Sequence, residues 1–491
     1  MSDITFLSAS EIAEKIRDRT LSSTEMTQAY LAKIEKLNPS LNAICTLDAE
    51  RALQQAKAAD EASAKGDFWG ALHGVPITIK DMFETVDFKT TAGYPPLKNY
   101  QPQQDATVVA RLREAGAIIM GKSNLATLAG DYQSTNTLFS RVNNPWNLGY
   151  TPGGSSGGSA AAIAAGLSAL EFGNDFAGST RQPAHFCGIY GLKPTEGRIS
   201  LAGTIPEVPG MPICLRKMMT VGCLARSLKD IQLAFSLVAG PDPRRPEVPP
   251  VPLDTPSGKP LPDLKIAWID EWPQLPVSKD IRAQMQTALQ QLSAHGASVK
   301  RWMPEAFDIS EVLNLYVRMA VYVNLYAQPK NKDTVGRNLI QIFRSATEGD
   351  KSLRQFGNVS QALAISLNLS VKGYFETLTA RDRFTTQLDE ALEPWDVWIM
   401  PVCATTAFTH RPSWKAININ GVSYPHGIAN GAYTMPFNLS SHPAVVIPMG
   451  FTSEGLPIGL QIIGKRWKEI ELIAIATQID SIVGDFQNPP L

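Results

Sequence analysis

Three short segments hold residue types at spacings that suit acyl-transfer chemistry. The first, Gly153-Gly154-Ser155-Ser156-Gly157-Gly158-Ser159, surrounds adjacent hydroxyls with glycines. Such a backbone can turn sharply and bring hydroxyls and amides close to a ligand. As an interdomain linker it would be misplaced, because it sits in the most structured part of the chain. As a phosphate loop it lacks the Lys-Ser/Thr that should follow the last glycine, having Ser159-Ala160 instead. It fits a G-x-S-x-G nucleophile elbow in two frames, on Ser155 or on Ser156. Asn144-Pro145-Trp146-Asn147-Leu148-Gly149 is, however, a poor version of the strand that an elbow needs.

The second segment is Gly173-Asn174-Asp175-Phe176-Ala177-Gly178-Ser179-Thr180-Arg181. Small residues just before Ser179 leave successive backbone N–H groups unshielded, and N–H groups converging beside a nucleophile form an oxyanion hole. The third, Gly74-Val75-Pro76-Ile77-Thr78-Ile79-Lys80-Asp81, ends a buried strand pattern on a lysine. That is costly unless the lysine is paired, with Asp81 the nearest candidate, or neutral. Burial lowers a lysine's proton affinity and can make it a general base near neutral pH. Two hydroxyl loops beside it favour the general base.

The elements that must position these segments are legible in outline. The first sixty residues read as helices, with a Ser22/Glu25 capping box and a stop at Asn38-Pro39. From Gly70 to about Ile199, strand runs (Val75–Ile79, Ala117–Met120) alternate with a helix (Ala106–Ala115) and glycine-dense loops. That alternation predicts an α/β fold with a buried sheet. Nine prolines between Gly240 and Pro262 predict an extended surface connection. Beyond it, Lys265–Ile269, Ile281–Ala294 and Ala297–Trp302 read as a βαβ unit, so the sheet continues. Residues 311–395 read as mostly helical, and 396–480 as strands and a final helix, Glu469–Ile482. The division expected is 1–66 as an N-terminal helical collar and 67–491 as one α/β/α unit, with the connection at 241–262.

Bulk properties bound the function. The chain has 491 residues, 44% apolar and 19% charged, with a formal charge of −1. A near-neutral chain has no general attraction for nucleic acid or anionic membranes. Cys45, Cys187, Cys214, Cys223 and Cys403 show neither C-x-x-C nor zinc-type spacing, which suits a reducing compartment. No signal-peptide pattern opens the chain, and no apolar run approaches the ~20 residues that span a bilayer. A cytoplasmic enzyme without metal or cofactor is expected. The six histidines are scattered, and His185, six residues after Ser179, reads as local packing, as does Cys187.

The chain resembles the amidase signature hydrolases. The resemblance is carried by Gly153–Gly158, Gly173-Asn174-Asp175…Gly178-Ser179…Arg181, Cys187-Gly188 and Gly191-Leu192-Lys193-Pro194-Thr195. Gly121-Lys122-Ser123-Asn124, Asn144-Pro145-Trp146 and Gly455–Gln461 extend it over nearly the whole length. It implies an amidase-signature fold: a large mixed β-sheet core covered by helices on both faces. It also implies Lys80 as base, Ser155 as relay serine after a cis peptide, and Ser179 as nucleophile. Backbone N–H groups of Phe176, Ala177, Gly178 and Ser179 would form the oxyanion hole. Phe176-Ala177 departs from the family's usual Ile/Thr-Gly, and the Ala177 methyl would be expensive if that position required an unusual φ.

Substrate contacts are less sharply drawn. Arg181, Ser134, Met211 and Tyr316 are the candidates; Arg181 could grip a carboxylate or be structural, and Tyr316 could wall an apolar pocket or pack in the core. Met218, Met219, Tyr322 and Tyr326 lean toward an apolar acyl group. The expected function is hydrolysis of a small, apolar, aryl or cyclic carboxamide by an enzyme that could be a homodimer. The alternative is an amidotransferase A-type subunit releasing ammonia from glutamine within a complex.

Overall fold

The computed structural model describes residues 3–205, 216–305, 307–326, 370–413 and 415–491. Met211, and the side chain of Tyr326, lie outside the described residues.

Two sheets form the core. In the smaller, β1 (Ile44–Leu47) runs antiparallel to β3 (Ile118–Ser123), which pairs in parallel with β2 (Pro76–Lys80). Every residue of β2 and β3 is buried, which explains why both begin with apolar residues on both faces. Parallel neighbours need a crossover, and helix Thr107–Glu114 lies in the connection.

The larger sheet has eight strands: β4 (Glu171–Asp175), β5 (Tyr190–Lys193), β6 (Thr220–Ala225), β7 (Lys265–Trp268), β8 (Ser298–Arg301), β9 (Val397–Pro401), β10 (Ala444–Phe451) and β11 (Pro457–Ile463). Their order is β8-β7-β9-β11-β10-β5-β6-β4, with β7 parallel to both its neighbours and all other pairs antiparallel. Strands β4, β5, β6, β9 and β11 are buried along their entire lengths, so both faces of the sheet are covered. The fold is α/β, as the alternating pattern implied. The βαβ unit after the proline stretch is β7, helix Lys279–Ala294 and β8. Residues 241–262 form an extended strap whose helical content is confined to a short turn at Leu261–Asp263, and Arg198 ties it down by donating to the carbonyls of Val251 and Pro252.

Two N-terminal expectations fail. Helix Ser23–Leu41 continues through Pro39 instead of stopping there. In the last turn, proline forfeits few bonds, and Asn42 closes the helix in the left-handed region (φ +53°), its N–H on Asn38 O at 2.7 Å. The first sixty residues are also not all helical, since Ile44–Leu47 is a strand; four residues are too few for periodicity to separate the two states. Among the described residues, no helix is long and apolar enough to cross a membrane.

Helix α1 (Gly157–Ala164) carries the first serine loop into the core, and all its residues are buried. It can approach the end of β3 because position 158 has no side chain: a Cβ there would collide with the backbone O and N of Asn124 and with Ala43 O. We predict that Gly158→Ala destabilises the fold by about 1–3 kcal/mol. Urea or thermal unfolding would show this as a lowered midpoint, and an unchanged midpoint would contradict so tight a contact.

Candidate active site

The three segments meet where β2 and β4 lie side by side. Lys80 closes β2, entirely buried, and its Nζ donates to Ser155 Oγ and Ser156 Oγ, each at 2.8 Å. Burial pushes the Lys80 ammonium down to about 7, opposed by the charges of Asp175 and Glu171. The alternative pairing of Lys80 with Asp81 does not occur. Asp81 instead faces Lys122, 3.5 Å away, and accepts from the Thr91 hydroxyl at 2.5 Å.

The serine loop is held from several sides. The Gly154–Ser155 peptide is cis. Ser134 Oγ contacts the carbonyls of Gly153 (3.0 Å) and Ser155 (3.1 Å) and accepts from Gly157 N–H at 2.8 Å. Ser134 is 1% exposed and braces the loop from behind, which corrects its reading as a substrate contact. Ser156 lies against β4: a Cβ on Gly173 would meet its Oγ at 2.5 Å. The Ser156 N–H donates to Ser179 O at 3.3 Å, joining the two serine loops. Ser179 is 7% exposed where Lys80 and Ser155 are 0%, so Ser179 stands on the open side of the cluster.

Asp175, the last residue of β4, organises the second loop. Its carboxylate accepts from the N–H groups of Gly178 (2.9 Å) and Thr180 (3.2 Å), from Asn438 Nδ2 (2.9 Å), and from Arg181 through Nε (3.0 Å) and Nη2 (2.8 Å). Despite burial, which alone would raise it, Arg181 and Asn438 hold this carboxyl far below its ordinary range. The loop's carbonyls are also held: Ala177 O accepts from the Tyr132 and Thr434 hydroxyls at 2.8 and 2.7 Å, and Phe176 O from the Tyr316 hydroxyl at 3.0 Å. Among the described residues, no acceptor takes the N–H groups of Phe176, Ala177 or Ser179. Gly178 N–H, by contrast, is committed to Asp175, which removes it from the expected oxyanion set. The left-handed backbone falls on Gly178 (φ +109°), and Ala177 lies outside that region, so its methyl carries no conformational penalty.

Arg181 is also corrected. It is fully buried, and its remaining donors reach Thr434 O (3.1 Å), Gln461 Oε1 (2.8 Å) and Asn438 Oδ1 (2.5 Å), leaving nothing to grip a substrate carboxylate. Tyr316 is 4% exposed; it packs its ring 5.9 Å from Phe176 and anchors that loop. His185 is buried, accepts from Gly459 N–H at 2.6 Å, and is pushed down to about 4 by burial, which keeps it neutral. Cys187 is buried, its thiol pushed far up by desolvation. Residues that the sequence left without a role include Asp175, Asn438, Thr434 and Tyr132. A carboxylate inside a glycine-rich buried strand end was the one available signal, since a charge there needs partners.

Known proteins share both this fold and this sequence pattern. The family described as Amidase matches residues 25–473. The A-type subunit of the glutamyl-tRNA(Gln) amidotransferase from Marinomonas sp. (strain MWYL1) is 33% identical over 494 residues, covering 96% of this chain and 96% of that protein. Among solved structures, a 6-aminohexanoate cyclic dimer hydrolase superposes with TM-score 0.80 at 24% identity, covering 99% of each chain. The glutamyl-tRNA(Gln) amidotransferase A-type subunit from Thermotoga maritima gives 0.75 at 25%, covering 100% of this chain and 98% of that one. With a family match across most of its length and full-length relatives above 30% identity, the chain belongs to the Amidase family of enzymes acting on carbon–nitrogen bonds.

Proposed function

We propose that this enzyme hydrolyses a small, apolar carboxamide through a Ser-Ser-Lys relay and a covalent acyl-enzyme. The observation that carries the reading is a buried, readily neutralised Lys80 amine 2.8 Å from the Ser155 hydroxyl, with Ser179 on the adjoining loop. Neutral Lys80 takes a proton from Ser155 Oγ as Ser155 takes one from Ser179 Oγ, and Ser179 Oγ bonds to the amide carbon. Negative charge gathers on the carbonyl oxygen, where the N–H groups of Phe176, Ala177 and Ser179 receive it. Running the relay backward delivers the proton to the leaving nitrogen, because an unprotonated amine is a poor leaving group. Water then enters by the same relay and releases the acid.

A second reading has a specific observation behind it: the relatives at 30–33% identity are amidotransferase A-type subunits. Under that reading the substrate is glutamine and a partner chain receives the ammonia. A panel of aryl, cyclic and aliphatic amides run beside glutamine separates the two. Ammonia release from glutamine alone, with no turnover of the apolar amides, would overturn the first reading.

Ser179→Ala is expected to lower kcat/KM by about 10⁴-fold or more with the fold intact, and Lys80→Ala nearly as far. Single substitutions of the six histidines should leave substantial activity. A well-folded but inactive histidine variant would contradict the relay. Because the base must be neutral, kcat/KM should level off above about 7, where Lys80 loses its proton, and fall about tenfold per pH unit well below it. A profile rising toward acid would oppose a lysine base.

A further inference from the structure

One buried titratable group beside the site has no part in the relay. Glu171 opens β4 and is 0% exposed. Thr78 Oγ1 donates to its Oε1, and Ser123 Oγ donates to its Oε2 at 3.1 Å. Ser159 Oγ lies 2.8 Å from Ser123 Oγ and, since the Ser123 proton goes to Glu171, donates to Ser123.

These hydroxyls belong to residues that neighbour Lys80 in the fold. Thr78 lies two residues before Lys80 on β2, so both point to the same face of the strand. Ser123 is the cross-strand partner of Lys80 in the β2–β3 register. Ser159 is in the first turn of α1, just beyond the two serines that hold the amine. The carboxyl is therefore bonded to the neighbours of Lys80 along its strand and across its ladder, and reaches the facing helix through Ser123.

The other charges nearby have partners of their own. Asp175 is matched by Arg181, and Asp81 by Lys122. Arg226 donates to the carbonyls of Ile163, Ser168 and Leu7. Asp175 acts on Lys80 as a constant charge, since Arg181 keeps it ionised. Glu171 differs, because burial raises it to about 7, into the range where Lys80 itself changes charge.

We propose that Glu171 is a positioning residue for the reaction, the carboxyl whose charge sets how readily Lys80 becomes a base. As a carboxylate it favours the Lys80 ammonium; once protonated it favours the free amine. The inference rests on the reading of Lys80 as the base.

The test is the pH profile of kcat/KM for Glu171→Gln, which removes the charge and nearly preserves the shape. Lys80 should then lose its proton more easily, moving the acidic limb about one pH unit lower. Thr78→Val removes one hydroxyl that stabilises the carboxylate, and should move the limb the same way by a smaller step even if Glu171→Gln folds poorly. Limbs fixed at the wild-type pH in the folded variants overturn the proposal. Lys80→Ala in the same assay separates the two claims. Substantial activity in it removes the base itself, whereas an inactive Lys80→Ala with unmoved limbs removes only the part assigned to Glu171.

Discussion

A lysine shut away from water and facing two serine hydroxyls is the constraint from which the rest of this site follows. In water its amine would carry a proton at every physiological pH; at the closed end of β2, burial brings it down to about 7. A free amine can only help the reaction if a hydroxyl is held against it and a second hydroxyl can reach substrate. In the proposed relay the two glycine-rich loops would supply both, as Ser155 and Ser179. Their glycines allow backbone contacts that any side chain would block, as at Gly158 against Asn124 and at Gly178 against Thr434.

The second loop depends on a different interaction, the buried pair of Asp175 and Arg181. An isolated carboxylate at the end of a core strand would be strongly destabilising. Here it is fully hydrogen-bonded, and its backbone partners, the N–H groups of Gly178, Thr180 and Arg181, lie on either side of Ser179. Asp175 holds the N–H groups of Gly178 and Thr180, while Tyr132, Thr434 and Tyr316 hold the Ala177 and Phe176 carbonyls. Among the described residues, the N–H groups of Phe176, Ala177 and Ser179 are left without acceptors. Such preorganisation is what makes donors effective toward developing charge. Breaking a buried pair of this kind leaves an uncompensated charge, so the loop's shape and the pair's integrity stand together.

How much of this is legible in the sequence follows from how local each signal is. Lys80 shows itself as a charge closing an apolar strand run, and Ser155, Ser156 and Ser179 as hydroxyls among glycines. The strand and helix periodicities give the α/β architecture and the unit after the proline stretch. Arg181 and Ser134 mislead because their partners are distant or generic. The guanidinium of Arg181 is occupied by Asn438 and Gln461, more than 250 positions away, and Ser134 by backbone atoms that no pattern reveals. Gly178 reads as an oxyanion donor because nothing local shows that Asp175 holds its N–H. Glu171 carries the same signal as Lys80, a charge within a buried strand, but hydrophobic neighbours on both sides conceal what it can touch.

The central claim is that Ser179 is the nucleophile and Lys80 its ultimate base. Mass spectrometry after reaction with a fluorophosphonate tests both at once. The account predicts a single phosphonyl adduct on Ser179 in the wild-type enzyme and its loss in Lys80→Ala. An adduct on Ser155 or Ser156, or undiminished labelling of Ser179 without Lys80, would contradict it.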